Sequence, residues 1–207
     1  MTNNKVLIGR VLVGTAVALV AASLVPTTAA QAAAGDRVDL SIVATTDVHG
    51  NVFNWDYFRN QAYAAGSEQG LTRTSAAIDE IRAEKGAESV ITLDNGDAIQ
   101  GTPLTYYYGM GAGRADVLSG KATHPMAEAF NAAAYDAQVV GNHEYNYGLD
   151  LLDAYQGQLN APLLGANVIN VATGEPDLDP YTIIERTIDG KKVQIGVIGV
   201  VTPGIRI

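Results

Sequence analysis

Three short stretches of this chain end an apolar run with residues able to hold a cation: "TTDVHGN" at 45–51, "LDNGD" at 93–97 and "GNHEYNYG" at 141–148. They supply Asp47, His49, Asp97 and Asn142, all oxygen or imidazole ligands, with His143 alongside. Each stretch alone has a bland explanation. An Asp-x-His after a strand is an ordinary turn with a surface histidine, Gly-Asp is a common turn, and Gly-Asn-His-Glu suits a helix cap. Together, in a chain with only 3 histidines, they point to chemistry. Two divalent ions roughly 3.5–4 Å apart can activate a water and hold a phosphoryl oxygen. Asp97, between the other two groups in sequence, is the natural bridging carboxylate. Asp47 and His49 would hold the first ion, and Asn142 the second through its amide oxygen. His143 is then free to give a proton to a leaving oxygen as a general acid near neutral pH. Asn146, three residues on, could orient or stabilise that ring. Oxygen and imidazole donors suit Mn, Zn or Fe; calcium and magnesium fit the histidine less well.

These residues work together only if their elements bring them to one place. Residues 38–45 read as a strand, followed by the loop carrying Asp47 and His49. Residues 71–85 form a predicted helix, with Ala77, Ile78 and Ile81 at helical spacing and Gly86 as the stop. Residues 89–93 are a second strand, ending at Asn95-Gly96-Asp97. A Gly- and Tyr-rich loop runs over 101–123. Its segment "TYYYGMGAG" reads as a flexible surface loop rather than a base-stacking platform, because glycine on both sides gives little rigidity. Pro125 opens a helix in the first-turn position that proline tolerates. His124, just before it, reads as a loop or cap-region residue and not as a ligand. A third strand at 137–140 leads into Asn142-His143, a helix covers 149–159, and "APLLGANV" is a fourth strand. Asp189-Gly190 between two β-rich runs is a strong hairpin signal. The order is that of an α/β layered fold with a largely parallel inner sheet, whose ligands collect outside the carboxyl ends of the strands. Trp55 fits either the site or the core.

Composition narrows the setting. At 207 residues, 47% hydrophobic and 17% charged, the chain has material for a real core. Residues 1–34 read as a secretory signal peptide, with Lys5 and Arg10 as the only charges, an apolar run over 11–25 and small residues at the cleavage spacing. The chain is therefore expected to be secreted or periplasmic, with residues 35–207 as the mature part and no stable membrane span after cleavage. Loss of those two positive charges takes the formal charge from −9 to about −11. An acidic protein does not hold polyanions by bulk electrostatics, so a nucleic-acid polymer is not an expected partner. Cysteine is absent, which rules out thiol nucleophiles and Cys-zinc sites.

The three motifs in this order resemble the calcineurin-like metallophosphoesterase superfamily. With "NWDYF", "DNGDAIQGTPL", "HPMAEAFNAAAYDAQVVGNHEYNYGLD" and "IGVIGVVTP", they resemble the exported 5′-nucleotidase branch. Within it they look most like the bifunctional 2′,3′-cyclic-nucleotide 2′-phosphodiesterase/3′-nucleotidases. That resemblance implies an αββα sandwich, two divalent metal ions and a nucleotide substrate: a 2′,3′-cyclic nucleotide opened to the 3′-nucleotide, then hydrolysed to nucleoside and phosphate. It implies Asp47, His49, Asp97 and Asn142 as metal ligands and His143 as the catalytic histidine. Asn146 stands where related 5′-nucleotidases carry Asp, and a neutral amide favours an imidazolium less than a carboxylate does. The resemblance also implies later Gly-His and Gly-His-x-His ligands and a C-terminal nucleotide-binding domain, which 207 residues do not reach. On this reading residues 35–207 are the N-terminal part of a catalytic domain, incomplete at its C-terminal side. Weak metal affinity, little turnover in isolation and an aggregation-prone sheet edge are then expected. A 5′-nucleotidase or UDP-sugar hydrolase, and a non-catalytic secreted binding protein with a vestigial metal edge, are the alternatives.

Overall fold

The computed structural model describes residues 37–203, so the signal peptide expected at 1–34 lies outside the described residues. Strands β1 (Ser41–Thr45), β2 (Val90–Asp94), β3 (Ala137–Val139) and β4 (Leu163–Leu164) form a parallel sheet in that order. The register pairs Thr45 with Asp94 and Asp94 with Gln138. Their carboxyl ends are therefore nearly level, and the loops carrying Asp47, Asp97 and His143 leave from one edge. This is the parallel inner sheet that the order of elements predicts.

Helix α1 (Leu71–Lys85) has the bounds that its periodicity predicts, buries Leu71 and Ile78, and ends at Gly86 in the left-handed region (φ 85°). Ala77 is exposed, so the buried stripe is narrower than its spacing suggested. The segment expected as a loop over 101–123 instead contains two helices, α2 (Pro103–Gly109) and α3 (Arg114–Leu118). A reciprocal cap starts α2: the Thr105 N–H donates to Thr102 Oγ1 and the Thr102 N–H to Thr105 Oγ1, with Pro103 following the cap. Threonine at the third helical position replaces the usual Glu or Gln, which hid the signal. Tyr108 packs on the core, while Tyr106 and Tyr107 are exposed.

Helix α4 (Pro125–Ala132) is capped by His124, whose Nδ1 accepts the Met126 N–H at 3.2 Å. Helix α5 (Leu149–Gln156) follows β3. Ile78, Met126, Phe130, Leu151, Tyr155 and Leu163 belong to one buried apolar cluster. Arg82 of α1 ties helix to sheet, donating to Ala133 O (2.9 Å), Ala134 O (2.8 Å) and Thr92 Oγ1 (3.1 Å).

Strands β5 (Tyr181–Ile188) and β6 (Lys191–Ile198) form the expected hairpin, with Asp189 and Gly190 both at positive φ in a two-residue turn. It is fastened to the sheet by an Arg186–Asp136 ion pair, and Asp136 in turn accepts the Thr92 N–H at 2.8 Å. Leu164, buried outside the helix-side cluster, lies against Gly199 just after β6. Successive residues of β4 thus serve opposite faces, Leu163 the helices and Leu164 the other side.

Candidate metal centre

The ladder between β1 and β2 continues past the strand ends. Asp47 N–H donates to Gly96 O (3.0 Å), His49 N–H to Asp97 O (2.9 Å) and Gly50 N–H to Ala98 O (2.8 Å). Asp47, His49 and Asp97 nevertheless have φ of 54°, 48° and 59°, three of the six non-glycine residues at positive φ among the described residues. The left-handed region costs a residue with a side chain roughly 1 kcal/mol, and such positions gather at functional sites. Glycine makes the close approach possible: a Cβ on Gly96 would run into the backbone of Gly141, and one on Gly141 into the Asp97 carboxylate.

His49, Asp97 and His143 each offer one ligand atom, and these atoms lie within 4.8 Å of one another. Their three loops follow three different strands. A cation with bonds of about 2.1 Å separates its ligands by roughly 3–4.2 Å, so small side-chain adjustments close the set around an ion. The tautomer of His49 agrees. Its Nδ1 is 2.7 Å from Gln100 O, and a carbonyl only accepts, so Nδ1 carries the proton. The Nε2 lone pair is then free, as in histidines whose second nitrogen is held by a carbonyl behind a metal. Asp47 Oδ1 is 3.7 Å from that Nε2, and its side chain is 58% exposed.

The rings of His49 and His143 meet edge to face, their centroids 5.2 Å apart. The His143 N–H donates to Asp97 Oδ1 at 2.8 Å, fixing that carboxylate against the β3 loop. His143 Nδ1 and Asn146 Oδ1 are 2.6 Å apart, so Nδ1–H donates to the amide oxygen. His143 Nε2 can then bind a cation when unprotonated or hand on a proton when protonated. Asn142 is exposed and sits between Gly141 and His143, both against Asp97; its side chain makes no capping bond. All six residues singled out from the sequence thus lie on the level loops at one sheet edge. An apolar groove of about 350 Å³, lined by Val52, Leu71, Pro125 and Ala129 among others, contains none of them.

Two acidic groups escaped the sequence reading. Asp94, partner of Thr45, is 1% exposed; it accepts Thr45 Oγ1–H at 2.6 Å and the Gly96 N–H at 3.0 Å. Burial pushes its carboxyl up to about 7 against the opposing effect of the Thr45 hydroxyl. Glu144, also 1% exposed, accepts N–H bonds from both the Asp97 and the Gly141 loops. Its only sequence signal was its place in Gly-Asn-His-Glu, a stretch that also suits a helix cap.

No protein-family model matches the chain. It is 40% identical over 181 residues to the trifunctional nucleotide phosphoesterase YfkN of Bacillus subtilis, covering 85% of this chain and 12% of that protein. It is 37% identical over 191 residues to a 2′,3′-cyclic-nucleotide 2′-phosphodiesterase/3′-nucleotidase of Yersinia enterocolitica, covering 90% of this chain and 28% of that one. Among solved structures, the calcineurin-like phosphoesterase YfkN from Bacillus subtilis superposes with a TM-score of 0.71 at 39% identity, over 81% of this chain and 50% of that one. The chain therefore spans less than a third of the curated relatives it matches. It has the calcineurin-like phosphoesterase fold and is homologous, over part of their length, to proteins named as nucleotide phosphoesterases and cyclic-nucleotide phosphodiesterase/3′-nucleotidases.

Proposed function

We propose that this chain carries metal ligands and the proton donor of an exported two-metal phosphoesterase that hydrolyses 2′,3′-cyclic nucleotides to 3′-nucleotides, and these to nucleoside and phosphate. The carrying observation is the convergence of His49, Asp97 and His143, from three different loops, to within 4.8 Å. Residues 35–207 supply the first part of the catalytic domain and residues 1–34 the export signal. No described helix is long and apolar enough to cross a membrane.

Asp47, His49, Asp97 and Asn142 are the residues that would hold the divalent ions, with Asp97 placed between the other two loops. Two divalent ions, of Mn, Zn or Fe, supply Lewis acidity toward water and phosphoryl oxygen, and the positive charge that this acidic chain lacks. His143 presents a protonated Nε2 to the leaving oxygen while Asn146 fixes the ring through Nδ1–H. Asp97 is braced against this exchange by its bond from the His143 amide. An open, half-exposed edge leaves room for a nucleotide above these groups.

Calorimetric titration with Mn²⁺ tests the centre directly: wild type gives a saturable binding heat and Asp97→Ala does not. Equal heats from both proteins would refute the assignment. Four protein ligands under-fill two ions, so residues 35–207 are expected to bind Mn²⁺ weakly and turn over 2′,3′-cyclic AMP poorly. Robust hydrolysis by that segment would contradict this. A panel of 2′,3′-cyclic AMP, 3′-AMP, 5′-AMP and UDP-glucose, run on the gene product containing this chain, separates the proposed substrates from those of a 5′-nucleotidase or UDP-sugar hydrolase.

A further inference from the structure

Glu144 is a buried carboxylate that forms no ion pair among the described residues. Four backbone amides satisfy it instead. Its Oε1 accepts from Ala98 N (2.5 Å) and Ile99 N (3.2 Å), and its Oε2 from Asp97 N (2.9 Å) and Gly141 N (2.7 Å). An ionised carboxylate offers about four lone-pair directions, and all four are in use, so Glu144 is not itself a cation ligand. The donors define its role. Three belong to the loop after β2 that bears Asp97, and the fourth immediately precedes Asn142 in the loop after β3.

We propose that Glu144 is a positioning residue for the metal centre: a single buried anion that clamps the loops after β2 and β3 together and holds Asp97 in its left-handed conformation before any cation arrives. The proposal rests on the metal-binding reading above. Asp97 is fixed in three directions: its N–H to Glu144, its C=O from His49 N–H and its Oδ1 from His143 N–H. Glu144 supplies the first of these and, through Gly141, orients the segment that supplies the third. Charge-assisted bonds from backbone N–H groups to a buried anion are strong, and leaving the donors unmatched is costly. The clamp therefore constrains geometry that the ligands, strained at positive φ, do not favour by themselves.

The test compares wild type, Glu144→Gln and Glu144→Asp on the full chain. The glutamine variant keeps the volume but turns an NH₂ group toward N–H donors; the aspartate variant keeps the charge but shortens the reach. After chelator treatment, amide hydrogen exchange is measured at residues 97–99 and 141 against α1 and β2. Mn²⁺ affinity is then measured by calorimetry. In wild type these loop amides should be protected like the core without metal. In both variants exchange at these sites should accelerate at least about tenfold while α1 and β2 stay protected. Mn²⁺ affinity should fall roughly 10–100-fold, the range for groups that orient metal ligands. Unchanged affinity in a folded variant, or faster exchange spread evenly over the molecule, would overturn the proposal. So would freely exchanging loop amides in wild type, a result that requires no variant to fold. Failure of wild type itself to take up Mn²⁺ would instead sink the metal reading, and the positioning role with it.

Discussion

Lowering the pH should remove a stabilising contribution that one residue outside the candidate centre makes to the fold. His124 is fully buried, with its ring edge-on to Tyr108 and Tyr155 at centroid distances of 6.4 and 5.5 Å. Its Nδ1 accepts the Met126 N–H, so the ring is neutral with its proton on Nε2, an atom without a hydrogen-bond partner among the described residues. Burial lowers its pKa from 6.5 to about 4. The unfolded chain therefore binds the proton first, and stability falls as pH drops from about 6.5 toward 4. The full shift corresponds to about 3 kcal/mol, of which about 2 kcal/mol is lost between pH 7 and pH 5. Charging the ring also means protonating Nδ1, which removes the cap of α4, worth about 1 kcal/mol. Asp94 has the opposite slope: its folded pKa, raised to about 7, makes stability fall as pH rises from about 4 to 7. A subtraction removes it. Urea denaturation of wild type and His124→Asn at pH 7, 6 and 5 compares two proteins that share Asp94 and a capping side chain but differ in the titrating ring. Stability of wild type minus that of His124→Asn should shrink by about 2 kcal/mol between pH 7 and pH 5. A difference independent of pH would refute the reasoning, as would an NMR titration of His124 with a midpoint above 6.

Other perturbations test the scaffold and the centre separately. Arg82→Ala removes three hydrogen bonds joining α1 to the end of α4 and to β2, and should cost about 2–4 kcal/mol by urea denaturation. Asp47 sits at φ 54°, so Asp47→Gly should be more stable than Asp47→Ala by about 1 kcal/mol, both variants having lost Mn²⁺ affinity. Asn146→Ala removes the acceptor held 2.6 Å from His143 Nδ1, and turnover of 2′,3′-cyclic AMP by the gene product containing this chain should fall at least about tenfold while Mn²⁺ affinity is kept. Unchanged turnover would mean that Asn146 does not hold His143 in solution.

Much of the fold was legible because it depends on local signals. Helix α1 followed from Ile78 and Ile81 at helical spacing and a terminal glycine, and the hairpin from Asp189-Gly190. Elements whose signals were displaced were missed. Thr102 and Thr105 cap α2 reciprocally without the expected Glu or Gln, so a Tyr-rich helix read as a loop. Strand β4 is only two residues long, shorter than "APLLGANV" suggested, because Gly165 leaves the ladder to bond with Asp179 O.

By itself the sequence determined the inventory: which residue types could hold cations, that each followed a strand, and that no thiol or basic face competed with them. Those properties are local, since they depend on side-chain chemistry and on hydrophobic period. The tertiary structure decided how the inventory is used. The level register of β1, β2 and β3 turned separation in sequence into ångströms between His49, Asp97 and His143. Burial placed Glu144 among four amides and pushed up the Asp94 carboxyl. Desolvation and hydrogen-bond geometry arise only when distant segments meet, so no pattern along the chain could have revealed either.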